Sequence, residues 1–171
     1  GIGTFSDRAR DALRGGGPGD SGADKVARQG WLNGLVFAPN DEADPALGRA
    51  DLLRAADLAR VGLAGTLRDY VLETADGTRQ PLHAIDYNGQ PAGYASAPGE
   101  VVNYVENHDN ETLFDLNAFR LPRDTSAHDR ARVQVLGMAF TALSQGVAYF
   151  HAGIDTLRSK SMDRNSYDSG D

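Results

Sequence analysis

Apolar residues recur at helical spacing in two stretches of the chain. Between residues 50 and 66, Leu52, Leu53, Ala56, Leu58, Ala59 and Leu63 fall on one periodic pattern and predict a helix. Gly62 and Gly65 weaken its end. Between 126 and 146, Val133, Leu136, Phe140 and Leu143 make one stripe. Ala131, Val135, Met138 and Ala142 widen it, so this helix is expected to be mostly buried. Ser126 can cap its start, Asp129 favours its first turn and Gly146 ends it.

Strands come from β-branched and aromatic runs. "VVNYV" (101–105) and "VAYFHAG" (147–153) are the clearest, and "LRDYVLET" (67–74) with a tight turn at "ADGT" is a third. Residues 1–14 read as an extended entry and a helical turn, anchored by Ile2 and Phe5. "GGGPGDSG" (15–22) reads as a flexible loop. Its three glycines are no phosphate loop, because no strong strand precedes them and no Gly-Lys-Ser/Thr follows. Residues 23–49, around Trp31 and "WLNGLVF", read as irregular, and 81–100 as a long loop with turns at Asn88-Gly89 and Gln90-Pro91.

From 101 to 152 the order is strand, long polar connection, helix, tight turn, strand. That is a βαβ unit with a parallel sheet covered on both faces. The long connection follows the strand, and about two residues follow the helix. In (β/α)₈ barrels, loops at the strand C-terminal ends carry the active site and those at the opposite end stay short. Both strands here end in polar clusters, "ENHDNE" and the run after His151.

Composition narrows the class. At 171 residues, with 40% hydrophobic and 24% charged, the prior is one ordinary globular domain. A net charge of −7 and the lack of a Lys/Arg run argue against nucleic acid or an anionic membrane as partner. No apolar stretch reaches transmembrane length and no signal-peptide order is seen, so no localisation is assigned. The absence of Cys excludes disulfides and thiolate metal sites. The chain begins at Gly1 in mid-pattern and ends in a polar loop, as expected of a piece of a longer protein.

Asp109 is the principal chemical candidate. If extension persists, Val101, Asn103, Val105, Asn107 and Asp109 share one strand face, and Glu106 and His108 the other. A turn could still bring His108 and Asp109 to one pocket. Alternatively, Asp109 or Asn110 caps a short helix beginning near Thr112. His83, His108, His128 and His151 have no metal-ligand spacing, which leaves a metal-dependent His-Asp hydrolase poorly supported. His128 reads as a solvent-facing helix residue, His83 as a loop residue, and His151 as a satisfied core imidazole or a pocket residue. No G-x-S-x-G supports a Ser-His-Asp triad. "RSKSMDR" is locally basic; it is a solvated loop or a loop whose polar groups hydrogen-bond a hydroxyl-rich ligand.

"VNYVENHDNETLFD", followed by "LSQGVAYFHAGIDTLRSKSMDRNSYDSGD", closely resembles the pullulanase and limit dextrinase group of the α-amylase clan. "GIGTFSDRARDALRGGGP" and "YNGQPAGYA" resemble it in the same order, so the likeness spans essentially the whole chain. The resemblance implies an α/β fold, a partial (β/α)₈ TIM barrel with long irregular βα loops, in an enzyme that cleaves α-1,6 linkages of branched α-glucans. Phe5 would then lie near the sixth barrel strand, 101–106 would be the seventh and 147–151 the eighth. It further implies that Asp109 is the transition-state-stabilising carboxylate, that His108 binds the same sugar, and that Asn165 contacts the next glucose unit. A retaining glycosidase also needs a nucleophile and an acid carboxylate about 5–5.5 Å apart. No segment of this chain resembles those motifs, so the remainder of the catalytic domain is an expected partner. No cofactor is assigned to the segment, and calcium is left open for the parent enzyme. A competing reading is a non-catalytic α-glucan-binding module, although a lone Trp31 gives no evident stacking platform.

Overall fold

A computed structural model describes residues 3–168. Ile2, expected as an apolar anchor, lies outside the described residues, as do the last three positions of "SYDSGD".

Strand β1 (Thr4–Phe5) passes through Ser6 into helix α1 (Asp7–Arg14). A one-turn helix α2 (Asp24–Ala27) and a series of turns lead to the long helix α3 (Arg49–Leu63). Two small antiparallel hairpins follow. The first pairs β2 (Val71–Glu73) with β3 (Arg79–Pro81) around the expected turn, and the second pairs β4 (Asp86–Tyr87) with β5 (Gln90–Pro91) around Asn88-Gly89. Strand β6 (Val101–Asn103), helix α4 (Leu113–Arg120), helix α5 (Ala127–Leu143) and strand β7 (Val147–Ala148) complete the chain.

The fold is mixed α/β. Strands β1, β6 and β7 form a three-stranded parallel sheet with β6 in the centre, Phe5 opposite Val102 and Val102 opposite Val147. Just beyond or at each strand's C-terminal end stands an aromatic ring. Phe5 meets Tyr104 edge-on at 4.9 Å between centroids and Tyr149 at 5.5 Å. The βαβ order between β6 and β7 is as the pattern predicts, with α4 set into the polar connection.

Helix α1 joins two clusters of buried side chains. Ala12 packs with Leu58, Val61 and the hairpin residues Leu72, Leu82, Ile85 and Tyr87. Leu13, its neighbour, packs with Leu32, Ala59, Val105, Leu113 and Ile154. The crossing of α1 and α3 explains Gly62. A Cβ there would fall 2.2 Å from the Ala9 Cβ, so this glycine permits close helix packing. The expectation that it merely weakens the helix end missed that constraint.

Four other expectations are corrected. The 81–100 stretch is not simply loop, because its Asn-Gly turn closes the β4–β5 hairpin. Strands 101–105 and 147–153 are shorter than their apolar runs, since the chain leaves the ladder at Tyr104 and Tyr149. Helix α5 is not mostly buried. It turns Gln134, Gly137 and Thr141 inward, while Val135 is 63% and Leu143 76% exposed. Periodicity shows that a helix has apolar faces, not which of them its own chain covers. The same holds for the sheet: Val147 and Phe5 are about half exposed, so it is not covered on both faces.

Exposed Leu136, Leu143, Val147 and Phe150 leave an apolar surface of a kind that promotes association. The isolated 171-residue chain is therefore expected to self-associate or aggregate. Size-exclusion chromatography checks this, and a single well-behaved monomer peak would contradict it.

Candidate active site

The polar cluster at the end of β6 is arranged by its first member. Glu106 is fully buried. Its Oε2 accepts the Leu113 amide at 2.5 Å, in the first turn of α4, and its Oε1 lies 2.9 Å from His151 Nδ1. One carboxylate thus ties the strand end to a helix start and to the segment after β7. His151 is a satisfied core imidazole, the first of its two expected readings.

Pinned at Glu106, the chain turns outward. Asn107 Oδ1 accepts the Asp109 amide at 2.9 Å, and Asn110 takes a left-handed conformation at φ 59°. Extension does not persist, so strand alternation no longer separates His108 from Asp109. Both side chains project to solvent, 77% and 69% exposed, with His108 Nε2 3.6 Å from Asp109 Oδ1. Neither Asp109 nor Asn110 caps α4. Thr112 does, its hydroxyl accepting the Asp115 amide at 3.1 Å. The capping alternative for Asp109 is thereby removed.

A pocket adjoins this turn, lined by Asp109 with Arg10, Tyr104, Asn107, Asn110 and Glu111. Its floor is a buried charge network. Arg14 donates to the carbonyls of Val105 (3.0 Å) and Glu111 (2.9 Å). Burial, then the cations Arg10 and Arg120, lower its pKa to about 10. Arg120, at 1% side-chain exposure, donates to the carbonyls of Arg14 (2.7 Å), Gly15 (2.5 Å) and Lys25 (2.9 Å), and to Asp20 Oδ2 (2.9 Å). Lys25 in turn pairs with Glu111. Burial alone would raise the Glu111 carboxyl, but Lys25 holds it below its usual range.

The "GGGPGDSG" loop is therefore ordered by charge. Gly16 has φ 58°, and a Cβ there would fall 1.8 Å from Asp20 Oδ2. Its glycine admits the Asp20–Arg120 pair, and the loop's flexible reading is corrected on that ground.

The loop after β7 also meets this turn. Asp115 is fully buried and accepts Ser159 Oγ at 2.5 Å and the Lys160 amide at 2.7 Å. Lys160 Nζ donates to the His108 carbonyl at 2.8 Å, and Arg164 Nε to Asn110 Oδ1 at 3.3 Å. Asn165 follows Arg164, exposed, with its amide on Asp163 Oδ1 at 2.8 Å. The two loops are joined, but Asn165 is tied to Asp163 and not to His108 or Asp109. His83 and His128 stand apart, His83 beside Arg68 and Asp69 and His128 beside Asp129. Among the described residues, no group of three or more His, Asp or Glu side chains could hold a metal, and no helix is long and apolar enough to cross a membrane.

No family model matches the chain. A pullulanase of Klebsiella pneumoniae is 47% identical over all 171 residues, which make up 16% of that protein. The chloroplastic pullulanase 1 of Arabidopsis thaliana is 41% identical over 174 residues, again across the whole chain and 18% of the relative. The crystal structure of Klebsiella pneumoniae pullulanase complexed with maltotriose superposes with a TM-score of 0.96, covering 100% of this chain and 16% of that one. The chain belongs to the pullulanase family, of which it spans one segment.

In this segment, sequence reasoning picked out His108 and Asp109 and missed the groups that place them. Glu106 was assigned only to a strand face, and Asp115 not singled out at all. The one available signal was for Asp115, a carboxylate flanked by Leu113, Phe114 and Leu116, which asks for a partner. Here the side-chain partners, His151 for Glu106 and Ser159 for Asp115, lie 45 and 44 residues away.

The charge network yields a prediction. Removing one partner of a buried pair costs about 3 kcal/mol or more. In the full-length protein, Arg120→Met should loosen residues 15–28 and speed tryptic cleavage after Lys25 and Arg28 at least several-fold. Mass spectrometry of timed digests checks it, and an unchanged cleavage rate would show that the network is dispensable.

Proposed function

We propose that the chain is part of the catalytic barrel of a debranching glycoside hydrolase. That enzyme hydrolyses α-1,6-glucosidic linkages in pullulan, limit dextrins, glycogen or starch with retention of configuration. The observation that carries this reading is the whole-chain likeness to a pullulanase crystallised with maltotriose. In this reading the parallel strands β1, β6 and β7 correspond to the sixth, seventh and eighth strands of a (β/α)₈ barrel. Their adjacent order and the polar cluster after β6 support that correspondence.

Asp109 is the transition-state stabiliser. As the glycosidic bond breaks, the sugar ring flattens and gains oxocarbenium character, and hydrogen bonds to its hydroxyls strengthen. A carboxylate projecting from a pinned turn can accept such bonds without rearranging its support. His108 binds the same glucose unit beside Asp109, and Asn165, on the facing loop, contacts the next. The nucleophile and the general acid belong to the remainder of the domain, so the segment alone is inactive. No cofactor is assigned to the segment itself. Calcium belongs, if anywhere, to the parent enzyme.

Asp109→Ala in the full-length enzyme should lower kcat on pullulan at least about a hundredfold while the melting temperature changes little. Reducing-sugar release and a thermal melt check both halves. Near-normal turnover would remove Asp109 from the chemistry, and tight maltosaccharide binding by the isolated chain would favour a binding module.

A further inference from the structure

We infer that Asp115 is a positioning residue: it holds the loop after β7 against the His108 turn, and so sets the spacing between the two groups of sugar contacts. This rests on the glycosidase reading above. An acidic side chain at the third helical position ordinarily turns back to close a capping box on its own helix. Asp115 instead accepts Ser159 Oγ on one oxygen and the Lys160 amide on the other, 44 and 45 residues away.

The loop it grips would not hold its shape unaided. Leu157, Ser161 and Met162 all have left-handed backbones, at φ 60°, 55° and 67°, and none is glycine. Such conformations persist only where surrounding contacts over-determine them. Asp115 supplies two of those contacts from a fully buried position, and Ser159 Oγ passes the restraint on by accepting the Ser161 amide at 2.9 Å. Held this way, Lys160 reaches the His108 carbonyl and Arg164 reaches Asn110. Asn165 rides on the same loop. Loss of the Asp115 grip frees it from its register with Asp109, which stays pinned through Glu106.

The test uses the full-length enzyme with pullulan as substrate. Asp115→Asn and, should that variant fold poorly, Ser159→Ala are compared with wild type and with Asn165→Ala. The expected result is faster tryptic cleavage after Arg158 and Lys160 and a KM raised three- to tenfold with kcat within twofold. The KM effect should vanish when either change is made in the Asn165→Ala background. A folded variant with wild-type cleavage and KM, alongside a raised KM in Asn165→Ala, overturns the positioning role and leaves the glycosidase reading standing. Normal pullulan turnover in both Asn165→Ala and Asp109→Ala overturns that reading, and the positioning role with it. A fall in kcat and stability without a KM change assigns Asp115 to folding only and also overturns the inference.

Discussion

The buried guanidinium of Arg120 ties together parts of the chain that are far apart in sequence. It is enclosed by three carbonyls and one carboxylate, from residues 14, 15, 25 and 20. A charge taken out of water must be compensated on every side, or it destabilises the fold by several kcal/mol. The loop after α1, helix α2 and helix α4 are therefore not independent pieces. Arg14 extends the constraint to the strand end by holding the carbonyls of Val105 and Glu111. The turn carrying His108 and Asp109 thus rises from a floor fixed by two arginines. Its flanks are fixed by Glu106 on one side and Asp115 on the other. Exposed groups sit on a buried polar frame.

Local rules carried the reading of the sequence where the interaction is local. Ser126 caps α5 as its position predicts, Asn88-Gly89 turns a chain, and the β-branched run at 101 makes a strand. These depend on neighbours within four residues. The resemblance to pullulanases was legible for the same reason, since it rests on contiguous motifs. What was not legible depends on partners far along the chain. Gly62 looked like a helix weakener until Ala9 stood against it, and the triple glycine looked flexible until Asp20 and Arg120 filled it.

The apolar stripe of α5 failed differently. Its periodicity was real, but the inward face is built from Gln134, Gly137 and Thr141, with Val133, Met138 and Phe140 partly buried at its margins. Leu136 and Leu143 point away. Gly137 lets Leu113 and Leu32 approach closely, since a Cβ would meet the Leu113 side chain at 2.7 Å. Small and polar residues can thus face a tight interface while larger apolar residues face outward. A hydrophobicity pattern alone inverts that assignment.

The exposure of His108 and Asp109 bears on how such a pair could work. A carboxylate two-thirds open to water interacts weakly with anything, because solvent screens it. On the proposed reading, the same carboxylate would become a strong acceptor once a bound sugar displaced that water. The ligand itself would then supply the low dielectric, and the protein would supply only placement. Placement is what the buried frame provides: Glu106 spends both its oxygens on the backbone of α4 and on His151, and neither on the pocket. Rigid support beneath and open carboxylate above is the division that the proposed role of Asp109 requires.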